Sequence, residues 1–163
     1  MTEYTLNQRQ AREASLIYLY QLLTAQKIAA CNDEVFNFTT FINDLFPGLN
    51  YQLQEKFKTE KPFNIINNDL CKIVIEKSTD IDKILDYVNS YITGWRDIKN
   101  SGAMEQAILV LSFIQFKYTD IHHTPIINEA IELTKEYCGN QTYKFINGVL
   151  DKMSKNIVKT GVE

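Results

Sequence analysis

Apolar residues recur at helical spacing along most of the chain, and no stretch alternates as a strand would. The clearest pattern runs from Pro125 to Met153 and predicts two amphipathic helices back to back. Thr124 and Pro125 suit an N-cap and a first helical residue, since proline loses no useful donor there. Ile126, Ile127, Ala130, Leu133 and Tyr137 make one apolar stripe, with Glu129, Glu132, Lys135 and Glu136 off it. Gly139 suits the left-handed residue that closes a helix, and Asn140 can cap the next one. Phe145, Ile146, Val149, Leu150, Met153 and Ile157 form the second stripe. Gly148 falls inside its span, where glycine costs roughly 1 kcal/mol relative to alanine, so close passage of another backbone is expected.

Upstream, a first helix is predicted from Leu6 or Asn7 to about Thr24, burying Ala11, Ala14, Ile17, Tyr18 and Leu22. Val35, Phe38, Phe41, Ile42 and Leu45 predict a second, ended by Phe46-Pro47-Gly48. Asn50 to Lys61 is polar, with Leu53 and Phe57 as anchors, and reads as an enlarged linker or a loosely docked helix. Its lysines Lys56, Lys58 and Lys61 are interleaved with Glu55 and Glu60, the composition of a solvated surface. A third helix is expected from Pro62 through Phe63, Ile66, Leu70, Ile73 and Val74. Ser78 to Asp82 resembles a capping box for a fourth, whose stripe is Ile81, Ile84, Leu85, Val88, Tyr91 or Ile92, and Trp95. Ala103 to Tyr118 is apolar nearly all round, which places a fifth helix at the centre of a bundle. The chain is therefore all-α, with about seven helices.

Composition narrows the function classes. At 163 residues and 45% hydrophobic, the chain can bury a core as one domain, residues 1–163. A net charge of −3 does not advertise a nucleic-acid binder, so any basic site must be local. Three widely spaced cysteines, Cys31, Cys71 and Cys138, argue against a disulfide framework or zinc knuckle and for a reducing cytoplasm. No apolar run is long enough to span a membrane, and no secretory pattern opens the chain. His122-His123, near Asp120, read as a solvated loop with no third or fourth metal ligand. Asp80, Asp82 and Asp86 are accounted for by the helix dipole. With no phosphate loop, nucleophile elbow or Cys–His pair, no catalytic residue, metal or cofactor is expected, and the reading is of a non-enzyme.

Two strings carry a resemblance. Thr124-Pro125-Ile126-Ile127-Asn128-Glu129-Ala130-Ile131-Glu132-Leu133-Thr134-Lys135 is followed by Lys144-Phe145-Ile146-Asn147-Gly148-Val149-Leu150-Asp151-Lys152. In order and spacing this resembles the signature of the bacterial transcription antitermination factors of the NusB family. The start is similar too, in Ala11, Arg12, Glu13, Leu19, Tyr20 and Gln21, as is Glu105-Gln106-Ala107-Ile108-Leu109 behind Trp95. The resemblance implies two helical subdomains sharing one core, about 6–77 with an enlarged segment 25–61, and about 78–157.

It also implies sites. Arg9 and Arg12, three apart on a helix, match what remains of the family's RNA-binding arginine run, with Gln8 and Gln10 where further arginines stand. Lys144 and Phe145, with Gln141 upstream, match the RNA path, where an aromatic can stack on a base, although periodicity alone puts Phe145 in the core. Tyr20 and Glu105 match positions facing the small-subunit ribosomal protein NusE. Val110 replaces a family arginine, and Lys99 falls where acidic residues stand. The implied function is antitermination on boxA-like single-stranded RNA of ribosomal RNA operons, together with NusE, and with other antitermination factors and RNA polymerase indirectly. One alternative is a scaffold of the same fold, homodimeric or otherwise, that has lost RNA binding. Another is kinship to the RNA-binding domain of ribosomal RNA cytosine methyltransferases, disfavoured because the chain stops ten residues after Met153.

Overall fold

The computed structural model describes residues 3–94 and 96–159. Among them are seven α-helices and one short 3-10 turn, divided between two compact units that meet in sequence at Thr79 and Asp80. Trp95, expected in the fourth helical stripe, lies outside the described residues.

The first unit holds α1 (Gln8–Cys31), α2 (Phe38–Phe57) and α3 (Asp69–Ser78), with α1 packed against both others. Asn7 caps α1 through a capping box: its side chain accepts from Gln10 N–H at 2.8 Å while Gln10 Oε1 accepts from Asn7 N–H at 3.0 Å. The helix outruns its predicted end at Thr24 because Ala25 to Ala30 is mostly alanine, glutamine and lysine, residues that hold a helix without an apolar stripe. Its second helix corrects the expected break at Phe46-Pro47-Gly48. α2 runs through Pro47, because Leu45, Leu49 and Leu53 stay buried on one face across it. Two leucines with no exposed surface are each worth about 2 kcal/mol, enough to offset the roughly 3 kcal/mol that an interior proline costs.

The third helix begins at Asp69, capped by Asn68, and not at Pro62. Residues around Phe63 are extended instead. Tyr4 N–H donates to Pro62 O and Asn64 N–H to Tyr4 O, an isolated parallel bridge between Tyr4 and Phe63. Asn50 imitates a further strand on the other side, accepting from Phe63 N–H at 2.7 Å and donating to its carbonyl at 3.1 Å. Phe63 is 2% exposed, so its backbone polar groups needed partners of this kind.

The second unit holds α4 (Ile81–Asn89), the 3-10 turn Ile98–Asn100, α5 (Ala103–Tyr118), α6 (His123–Tyr137) and α7 (Tyr143–Asn156). As expected, α5 is its central helix, packing against α4, α6 and α7, with every residue from Gln106 to Phe116 buried. Polar side chains on it are satisfied locally: Gln106 Nε2 donates to Ile98 O at 2.8 Å and Ser101 O at 3.2 Å, and Ser112 Oγ to Ile108 O. At its C-terminal end Lys159 Nζ donates to the carbonyls of Gln115, Phe116 and Thr119.

Several local expectations change here. α4 stops at Asn89, whose side chain turns to accept from Ile98 N–H, so Tyr91 and Ile92 lie beyond the helix. Asp80 makes no side-chain cap bond, so the capping-box reading is not met. His122, not Thr124, is the N-cap of α6 and stays exposed outside the helix, whereas His123 is its first residue, half-buried and packed edge-on to the Phe116 ring at 5.1 Å. Gly139 takes the expected left-handed conformation, with φ of 85°, but Thr142, not Asn140, precedes α7. A side chain at Gly148 would meet nothing within 4 Å among the described residues, so the expected close passage of another backbone is not found where its Cβ would stand.

Candidate nucleic-acid interface

The residues implicated in binding fall in both units. In the first, Arg9 lies in the opening turn of α1 and is exposed, while Arg12, one turn on, is only 7% exposed. Spacing places the two on one side of the helix, but only Arg9 offers its guanidinium openly to solvent. Gln10, where an arginine was expected by resemblance, serves the capping box. Tyr20 is exposed further along α1. Lys56 is not a solvated lysine: its ammonium pairs with Glu13 at 2.8 Å.

In the second unit, Gly139 turns the chain and leaves Gln141 exposed just before α7. Lys144 is exposed in the first turn of α7. That turn contains no acidic residue and its N-cap, Thr142, makes no side-chain cap bond. Leading backbone N–H groups and an exposed lysine therefore share this turn, a combination suited to an anion. A second cation, Lys135, sits 5.4 Å from the ring of Tyr143.

Phe145 is half-buried, and this corrects its placement in the core by periodicity. Ile146, Val149, Leu150 and Met153 form the buried stripe without it. One face of its ring is covered by Arg96, whose guanidinium carbon lies 3.7 Å from the ring centroid. Arg96 Nη2 in turn donates to Glu105 Oε2 at 3.2 Å, with the two side chains 43% and 20% exposed. Glu105 stands in the first turn of α5. Exposed ion pairs and exposed cation–π contacts are each worth up to about 1 kcal/mol, so this arrangement is held lightly. Burial and then the Glu105 carboxylate push the Cys138 thiol up, which keeps it protonated at the edge of the cluster.

Arg96 is the residue that sequence reasoning passed over. Its only signal was rarity, as one of three arginines in the chain. Nothing in local spacing announces a contact with a ring on a different helix.

Residues 9–155 match the NusB family. The chain belongs to the NusB family. Among its relatives, the transcription antitermination protein NusB of Campylobacter hominis is 43% identical over 88 residues, covering 54% of this chain and 61% of that protein. NusB of Nitratiruptor sp. is 39% identical over 77 residues, 47% of this chain and 55% of that protein. NusB of Macrococcus caseolyticus is 32% identical over 102 residues, 62% of this chain and 75% of that protein. The matched stretch thus spans a little over half of the first two relatives. The family is all-α, as this chain is among its described residues, and no described helix is long and apolar enough to cross a membrane.

Proposed function

We propose that this NusB-family chain is a non-enzymatic, cytoplasmic antitermination factor that holds boxA-like single-stranded RNA of ribosomal RNA operons together with NusE. The observation that carries the reading is Lys144, exposed in an uncapped first turn of α7 beside the half-exposed ring of Phe145. A lysine and leading N–H groups suit a phosphate, and an aromatic face suits an unstacked base. Gln141 offers an adjacent hydrogen-bonding group, and Arg9 offers a guanidinium from the first unit. Arg12 contributes less directly, because an arginine only 7% exposed gives a phosphate little surface. Tyr20 and Glu105 are the residues proposed to meet NusE, a basic partner for an acidic protein. Other antitermination factors and RNA polymerase are engaged through that assembly.

A salt titration of binding to a short boxA-like RNA, with and without NusE, tests this. Affinity should rise with NusE and fall with salt. The double substitution Arg9→Ala/Lys144→Ala should flatten the log–log slope by roughly two phosphate contacts, each worth about 0.7 for a single strand. A second reading, a scaffold without RNA binding, is favoured by the thinned arginine run, in which Gln10 caps the helix and Arg12 is buried. Binding of NusE with no response to RNA at low salt would select it.

A further inference from the structure

We infer that Arg96 is an additional RNA-contacting residue, held off RNA by Glu105 until a basic partner takes that carboxylate. The inference rests on the proposed RNA and partner roles of Phe145 and Glu105. The guanidinium carbon lies over one face of the Phe145 ring at 3.7 Å from its centroid, close to the separation a stacked nucleobase would adopt. While it stays there that face of the ring cannot take a base. Among the described residues, a hydrogen bond at 3.2 Å to Glu105 holds it there besides the ring, on a pair that water reaches on both sides. Arg96 itself is exposed and lies outside any helix, shortly after Gly94 with its φ of 85°, so no helical backbone fixes its position. A lysine or arginine of a partner that pairs with Glu105 removes the acceptor. Arg96 then swings from the ring to a phosphate, where its fork is well matched, and the ring opens to a base. Partner binding and RNA binding become coupled through one side chain.

The test is a double-mutant cycle read by fluorescence anisotropy on a short, labelled boxA-like RNA, using the full chain without partner, across a salt series. Glu105→Gln should tighten RNA binding by about threefold to tenfold and steepen the salt slope by about one contact. The gain should disappear in Arg96→Gln/Glu105→Gln, while Arg96→Lys should keep part of it through its charge. Thermal midpoints of all variants establish that each is folded. If Glu105→Gln leaves RNA affinity unchanged, or gains as much when residue 96 is glutamine, Glu105 acts only as a nearby charge and the latch is wrong. If no variant and no wild-type chain binds RNA even at low salt with NusE present, the underlying RNA reading fails and this inference falls with it.

Discussion

Lys56 places its ammonium 2.8 Å from the Glu13 carboxylate, on a glutamate side chain only 3% exposed. The pair joins α2 to α1 in the middle of the stretch that composition marks as an enlarged linker or a loosely docked helix. Here a lysine that looks solvated in sequence compensates a buried charge on a neighbouring helix.

Lys56→Met should therefore destabilise the chain more than a surface lysine substitution would. A buried carboxylate stripped of a partner costs about 3–5 kcal/mol, and the partial exposure of Lys56 (25%) together with the remaining contacts of Glu13 brings the expected loss to about 2 kcal/mol. Urea denaturation measures it. Adding Glu13→Gln should recover part of the loss, and a Lys56→Met chain as stable as wild type would show that the pair carries no weight.

Gly148 sits exposed inside α7 with open space where a side chain would go. Gly148→Ala should raise stability by about 0.5–1 kcal/mol through helix propensity and a less flexible unfolded chain. The gain should be visible as a higher thermal midpoint.

Two buried groups make the protein sensitive to alkali. Burial, eased a little by its bond with Ser15, pushes the Cys71 thiol up from 9.0 to about 11. Burial, opposed by the Ser78 hydrogen bond at 2.6 Å, pushes the Tyr18 hydroxyl up from 10.0 to about 12. Both favour the neutral form in the fold, so their contribution is intact below pH 9 and is lost as pH rises from about 9 towards 12. Each full shift is worth roughly 2–3 kcal/mol. Thermal midpoints across this range should fall, and Cys71→Ala should lessen the fall in its lower part. At neutral pH, Tyr18→Phe should cost about 1 kcal/mol, since Ser78 keeps its own bond to Ile75 O.

His123 titrates in the opposite sense. Burial first, then the Lys159 ammonium and His122, hold its imidazole below the ordinary 6.5. Its depressed value makes the folded state favour neutral imidazole, so this contribution is present above pH 6.5 and is lost as pH falls through the lower, folded value. Imidazole NMR titration should find His123 below 6.5, and Lys159→Met should move it upward by the ammonium's share only, because burial remains. The same substitution removes three hydrogen bonds from the end of α5 and should lower the thermal midpoint.

Much of the second unit was legible beforehand. α5 has the bounds that the run Ala103–Tyr118 predicts, because an all-round apolar segment of good helix formers has one stable environment, the middle of a bundle. The Gly139 turn was legible for a similar reason, as few residues other than glycine accept its φ of 85°. The continuation of α2 through Pro47 was not legible: the local cost of proline is visible in sequence, whereas the burial of Leu49 and Leu53 that outweighs it is not. α4 was overextended because Tyr91 and Ile92 kept the helical period after Asn89 had turned to hold Ile98.

The candidate site divides along the same line. Exposed Lys144 and Gln141 followed from their place at a helix start, a property of near neighbours in sequence. Arg12 and Arg9 have equivalent spacing yet unequal exposure, and only packing distinguishes them. By itself the sequence determined an all-α chain, its central helix and the hairpin that carries the family signature, because periodicity, capping and propensity act within a few residues. Tertiary structure alone decided that Lys56 meets Glu13, that Gly148 faces open space, and that Arg96 lies over Phe145 in the grip of Glu105. Those contacts join residues distant in the chain, and no local pattern encodes which distant partner a side chain will find.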